Sequence, residues 1–355
     1  MSELDKPEKA INISDKNSVF LPNDLVMSKI SLQDTSLVNL LQFFLNEHYL
    51  SYGNFIYQNS AQTLYKILGK TTQFCIHNKK EMIGFIGRTH VSIQIFQQTY
   101  NGVEIGFLSI NPKYRNKKLA HTLIRTVTKE EINSRNPIAI FIANPKLVSK
   151  HFSQVLCSFK IYMRYFNIDK YNQLGFLKDQ HFHNTTTDLQ NKKNPFKIGK
   201  LPTNEVGKYY YCYMKYLKNT YNVFYNYDYD LFEDFFVNDG KILTYCIYDN
   251  NNNIIDYISI EIVLNKNKLG MSLTTGKLFA YTNNIIGIES ILDIFTTICY
   301  DLGTDSTMYQ TYGEMNRLKH PPLGYHHSSN SNIYLQNCKL SQKIPLEKIC
   351  ISYYY

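Results

Sequence analysis

The sequence contains no tryptophan, and its seven cysteines (Cys75, Cys157, Cys212, Cys246, Cys299, Cys338 and Cys350) stand far apart without one Cys-x-x-Cys pair. An odd, scattered set of thiols supports neither a disulfide framework nor a zinc site, and it fits a reducing, cytoplasmic setting. Glycine-rich phosphate loops of the Walker or dinucleotide type are missing, which excludes the common nucleotide-binding plans. So are long apolar runs. The most apolar stretch, 285–300, is interrupted by Glu289 and Asp293, and the N-terminus is charged, so neither a membrane span nor an export signal is expected. The 38 basic residues outnumber the 29 acidic ones, giving a formal charge of +9, but they form no dense block. Dispersed cations argue against a nucleic-acid surface and suffice for a small polyanionic ligand.

What the chain has in quantity is tyrosine and phenylalanine, 30 and 21 of its 355 residues, beside runs such as the four asparagines at 250–253. This reads as compositional drift rather than as an aromatic binding platform. The 44% hydrophobic content is ample for the cores of two domains. Residues 1–28 lack periodicity and are expected to form a flexible arm. Apolar spacing then predicts helices from Thr35 and over 60–68, strands at 73–77, 82–87, 91–96 and 103–110, a helix over 117–130 and a strand at 138–143. The polar stretch 178–200 marks a boundary, placing one half at 29–185 and another at 186–355. Beyond it the order repeats: helices at 205–219 and 228–236, strands at 241–248, 254–263 and 277–282, a helix at 286–302, and strands at 307–312 and 332–338. The expected fold class is therefore α/β (α+β), built from two similar acyltransferase-type halves.

The most informative segment is EIGFLSINPKYRNKKLAHTLIRTVTKEE at 104–131. A strand carrying Phe107 and Leu108 runs into a basic loop and then a helix whose first amides lack intrahelical acceptors. That arrangement suits a pyrophosphate, with Arg115, Lys117 and Lys118 adding charge. A solvated basic turn before an ordinary amphipathic helix explains the spacing equally well. His181 with His183, and His326 with His327, are spaced so that a metal site is conceivable, but without matching acids or cysteines they read as surface histidines, and no metal is expected.

The pattern EI-x-FL at 104–108, R-x-K-K-LA at 115–120 and LIR-x-x-T at 123–128 resembles the signature of the N-myristoyltransferase family. FFLNEHYL (43–50), MIGFIGRTHVSIQIF (82–96), YMKYLKNTYNV (213–223), ILTYCIYDNNNNIIDYISI (242–260) and NIYLQNCKL (332–340) are similar to further family segments, so the resemblance spans both halves. It implies two acetyltransferase-like (GNAT-like) halves related by a pseudo-two-fold axis. It also implies transfer of myristoyl from myristoyl-CoA, as co-substrate and with no tightly bound cofactor, to the N-terminal glycine amine of a peptide, by a monomer.

In that family the Phe-Leu amides form an oxyanion hole, here Phe107 and Leu108, each donor worth about 3–4 kcal/mol. The matching CoA-phosphate positions are Arg115, Asn116, Lys117, Lys118, Leu119 and Ala120. The amine, with a pKa of about 7.7–8.0, needs a base, and the family uses its C-terminal carboxylate, here that of Tyr355, raised from about 3.3–3.7 by desolvation. Tyr49, Phe55, Tyr57 and Tyr281 fall where the peptide is expected to bind. Two positions that orient the glycine amine in the family carry Gly106 and Ile142, neither with a polar side chain, and the family's glycine-rich peptide loop is replaced by Tyr325, His326, His327, Ser328 and Ser329. A different amine acceptor, or an inactive relative that binds acyl-CoA or lipopeptide, stays open on those grounds.

Overall fold

The computed structural model describes residues 21–49, 51–52, 55–134, 138–143, 153–177, 195–237, 240–267, 269–338, 340 and 342–352. In the first half the elements run β1 (Val26–Ser31), α1 (Thr35–His48), β2 (Ser51–Tyr52), β3 (Phe55–Tyr57), α2 (Ala61–Leu68), β4 (Thr72–His77), β5 (Met82–Ile95), β6 (Gln98–Ile110), α3 (Leu119–Asn133), β7 (Ile138–Ala143), β8 (Ser153–Tyr165) and α4 (Ile168–Gln173). The second half has β9 (Lys197–Lys200), α5 (Val206–Thr220), β10 (Val223–Tyr225), α6 (Tyr229–Phe236), β11 (Ile242–Tyr248), β12 (Ile254–Asn267), β13 (Ser272–Tyr281), α7 (Ile288–Asp301), β14 (Ser306–Gln310), β15 (His326–Gln336) and β16 (Ile349–Cys350). Short polar side chains start several helices: Asp34 accepts from the Ser36 amide at α1, Ser60 from Thr63 at α2 and Asp228 from Leu231 at α6. Each such cap satisfies an amide that the helix itself cannot.

Two differences from the sequence expectation have a physical cause. The strands expected at 82–87 and 91–96 are one continuous strand, β5, because the polar residues between them find buried partners. Arg88 pairs with Glu131 of α3 and donates through Nε to the Thr72 carbonyl at 2.7 Å, while the Thr89 hydroxyl donates to the Ile67 carbonyl at 2.9 Å. Polarity that looked like a turn is satisfied inside the fold. Strand β1 takes in residues 26–28 of the stretch expected as an arm, pairing them with 75–77 of β4.

The strands join in one mixed sheet of order β1-β4-β5-β6-β7-β15-β8-β14-β13-β12-β11-β9. Along that order neighbours are antiparallel except at two places, β6 beside β7 and β13 beside β14, and off it β10 pairs in parallel with β16. The halves exchange strands at the centre: β15 lies between β7 and β8, and β8 pairs with β14. The main apolar core is accordingly shared, Leu41, Phe85 and Phe107 clustering with Tyr209, Phe232 and Ile333. A second core packs α7 through Leu292 and Phe295 onto Ile258 and Ile260 of β12. Among the described residues no helix is long and apolar enough to cross a membrane.

Candidate active site

Strand β6 is bulged where the sequence places its Phe-Leu pair. Phe85 of β5 faces Ser109 and Gly87 faces Gly106, so Ile86 alone opposes both Phe107 and Leu108. Phe107 takes a left-handed backbone, φ 53°, which costs a non-glycine residue on the order of 1–3 kcal/mol and must be held by its surroundings. It is held by its ring. Phe107 is buried against Tyr49 at 5.3 Å, which in turn meets Tyr57 at 6.2 Å. Across the ladder Gly87 leaves the room: a Cβ there would come within 3.1 Å of both the Phe107 ring and Leu68. A bulge of this kind turns main-chain groups out of the ladder and re-aims them.

The same strand prepares a second feature. Pairing of β6 with β7 spans only 102–104 against 138–140, and past that point the two strands part. The chain leaves β6 through a turn at Pro112–Tyr114, pinned by the Asn111 side chain on the Lys113 amide, and reaches α3 through two left-handed residues, Asn116 (φ 65°) and Lys118 (φ 58°). Helix α3 opens at Leu119 with no side-chain cap and no acid in its first turn among the described residues. Arg115, Asn116, Lys117 and Lys118 are exposed, Leu119 is buried and Ala120 half-buried. Arg115 donates through Nε to the Ile110 carbonyl at 3.2 Å, and Lys117 sits over the Tyr114 ring at 5.1 Å. The helix thus presents uncapped amides at its positive end beside exposed cations, the groups an anion would use.

On the face of β5 and β6 that carries Thr89 and Glu104 lies a cleft between the halves, closed on its other side by Tyr225, Tyr227, Phe279 and Ser352. The last described residues run into it. Ile351 and Ser352 are buried, and the Tyr312 and Tyr227 hydroxyls donate to their carbonyls at 2.9 and 3.4 Å. Burial pushes the thiol of Cys350 up to about 12, away from the thiolate form.

Residues 4–154 match the family model of the myristoyl-CoA:protein N-myristoyltransferase N-terminal domain. That stretch takes in the bulged strand β6, the basic loop and helix α3. The fold of the chain agrees. A structure of Saccharomyces cerevisiae N-myristoyltransferase with bound myristoyl-CoA superposes with a TM-score of 0.74 at 18% identity over 94% of this chain and 87% of that one. One with myristoyl-CoA and inhibitors gives 0.75 at 17%, over 95% and 85%. A GCN5-related N-acetyltransferase from Anabaena variabilis reaches 0.54 at 14%, covering 88% and 72%, as expected of a fold with acetyltransferase-like halves.

Within this N-myristoyltransferase fold the residues singled out from sequence fall into groups. Tyr49, Tyr57 and Phe107 form one ring cluster, with Gly106 half-buried beside it on β6. Phe55 lies on β3, paired with Asn267 of β12. Ile142 sits on β7 opposite Ile333 of β15 and packs on the shared core. Tyr281 ends β13 and lines a second cleft with Gln310, Tyr312 and Ser352. Tyr325 is buried, its hydroxyl within reach of Thr296 and Thr307, and His326 and His327 lie exposed at the start of β15. His181, His183 and Tyr355 lie outside the described residues.

Sequence reasoning passed over a buried charge cluster beside Tyr57. Glu261 of β12 faces Lys277 of β13 across the ladder, with Nζ at 3.0 Å, and Lys241 approaches the other carboxylate oxygen at 2.7 Å. The Tyr57 hydroxyl donates to Glu261 at 3.2 Å and accepts from Lys241. Burial raises the carboxyl of Glu261, but the two lysines outweigh it and hold the group down at about 2. Burial lowers Lys277, against the pull of Glu261 and Glu104. The signal in the sequence was a single acid in ISIEIVL and a single lysine in GKLFA, opposite charges that only the register brings face to face.

Proposed function

We propose that this protein transfers a myristoyl chain from myristoyl-CoA to the N-terminal glycine amine of a peptide or protein. The observation that carries the reading is the left-handed bulge at Phe107 and Leu108, on the strand that leads directly to the uncapped, basic start of α3. On this reading one thioester has its phosphates at the helix and its carbonyl at the bulge. The amine nitrogen attacks the thioester carbon, and charge gathers on the carbonyl oxygen, where the Phe107 and Leu108 amides receive it. The C–S bond then breaks, the CoA thiolate leaves, and the amine proton passes to a base. We assign the base to the Tyr355 carboxylate. The buried course of Ile351 and Ser352 into the cleft supports that assignment, because desolvation raises a carboxylate toward the amine's own pKa.

The test is transfer from labelled myristoyl-CoA to a panel of N-terminal glycine peptides, by the wild-type protein and by a form lacking Tyr355. Product from the first and at least about a hundredfold less from the second is the expected result. Gly106 and Ile142, which offer no polar side chain, favour one alternative, an acceptor other than a glycine amine. In that case acyl-CoA is consumed with other amines and not with the glycine panel.

A further inference from the structure

The loss of a polar side chain at position 106 leaves open what recognises the incoming amine, and β6 itself supplies a candidate. Because Thr89 pairs with Glu104 and Gly87 with Gly106, the side chain of Glu104 and the bare position at Gly106 lie on one face of the sheet. That face forms the cleft wall, where Glu104 and Thr89 stand opposite Tyr227 and Ser352. Glu104 is a buried carboxylate, 8% exposed. Its charge acts on Lys277 and on the Tyr227 hydroxyl. Lys277 is itself paired with Glu261, which Lys241 and Tyr57 also engage. An ionised carboxylate accepts about four hydrogen bonds, so Glu104 can take up an ammonium beside the partners it already has.

We propose that Glu104 binds the acceptor's terminal ammonium, holding it over Gly106 next to the Phe107 bulge, with the Lys277–Glu261–Lys241 cluster orienting the carboxylate. The idea rests on the transferase reading above and adds the group that selects the acceptor. Gly106 is the next same-face position, about 6–7 Å along the strand from Glu104, and it is half-exposed. An ammonium there reaches a glutamate oxygen on one side and the bulge on the other. An acceptor without a charged amine gains nothing from the carboxylate and leaves it partly desolvated for no return.

The experiment uses the full chain loaded with a non-transferable thioether analogue of myristoyl-CoA, immobilised and offered two random octapeptide libraries. One begins with glycine and the other with acetyl, which is glycine without its amino group. Wild type is expected to retain the glycine library at least about tenfold better, the value of one charge-assisted hydrogen bond, and Glu104→Gln to reduce the ratio to about two. Glu104→Asp should recover part of it. Analogue affinity shows whether Glu104→Gln is folded. Should Lys277, left without this partner, unfold it, the double variant Glu104→Gln with Lys277→Met replaces it under the same expectation. Equal retention of the two libraries by wild type, no retention of either, or an unchanged ratio in a folded Glu104 variant overturns the proposal. The transferase reading fails separately: a wild-type protein that sorts the libraries but forms no product from myristoyl-CoA keeps Glu104 as the ammonium site and loses the transfer.

Discussion

Both halves contain the same unit, a bulged strand, a loop, a helix and a parallel return strand, and they finish it in opposite ways. In the first half the unit is β6, α3 and β7; in the second it is β13, α7 and β14. Each bulge carries a phenylalanine. Phe279 has no partner residue between the pairs Ser259–Ala280 and Ile260–Leu278, much as Phe107 and Leu108 share one. Only Phe107 has the left-handed backbone. The loops differ more. In the second half the buried Asp256 carboxylate accepts from the amides of Asn284, Ile285 and Ile286 at 2.8, 3.1 and 3.3 Å and from the Thr282 hydroxyl at 2.8 Å. Gly287, at φ 85°, turns the chain into α7, whose first turn carries Glu289. The chain has filled its own anion site there and put negative charge at the helix start. In the first half the corresponding loop carries Arg115, Lys117 and Lys118. One unit has its donors used internally in the second half and left uncapped in the first, where we propose that the phosphates bind.

The comparison can be broken from either side. The largest effect is expected at the charge cluster of the second half. Glu261→Gln takes from Lys241 and Lys277 the buried carboxylate they share and should cost about 3–5 kcal/mol of unfolding free energy in urea at pH 7. The same residue sets a pH response. Its folded pKa of about 2 lies below the ordinary 4.5, so its stabilisation is complete above 4.5 and fades as pH falls toward 2. Wild type should therefore lose stability more steeply than Glu261→Gln across that window, and parallel curves would contradict the assignment.

Asp256→Ala should cost about 3 kcal/mol by orphaning the loop amides, with myristoyl-CoA affinity unchanged within about twofold. A large drop in affinity would mean that the second loop is not merely scaffold. Gly87→Ala pushes on the Phe107 ring and displaces the bulge; turnover should fall about a hundredfold while the dissociation constant for myristoyl-CoA holds. Smallest is Lys118→Glu at the start of α3. It should weaken myristoyl-CoA about tenfold, less so at high salt, without moving the urea midpoint.

The elements of this fold were legible where they repeat a simple period. Helices α1, α2, α3, α5 and α6 follow apolar spacing that burial then respects, as at Val38, Leu41, Phe44 and Leu45 of α1. Strand β8 escaped because Lys160 and Arg164 interrupt it, and their place becomes clear only beside β14 and β15. Of the site, the Phe-Leu pair and the basic loop could be found in sequence because both are contiguous. The cleft could not, since Thr89, Glu104, Tyr227 and Ser352 come from distant parts of the chain.

The sequence by itself determined the periodic elements, the doubled order of strands and helices, and the local chemistry of the loop before α3, because each depends on neighbours a few residues apart. Only the tertiary structure decided that Phe107 takes a left-handed turn, that Asp256 seals the second loop and that Glu104 stands in the cleft wall. Those features depend on register and on contacts across the sheet, where a shift of one residue moves a side chain to the opposite face.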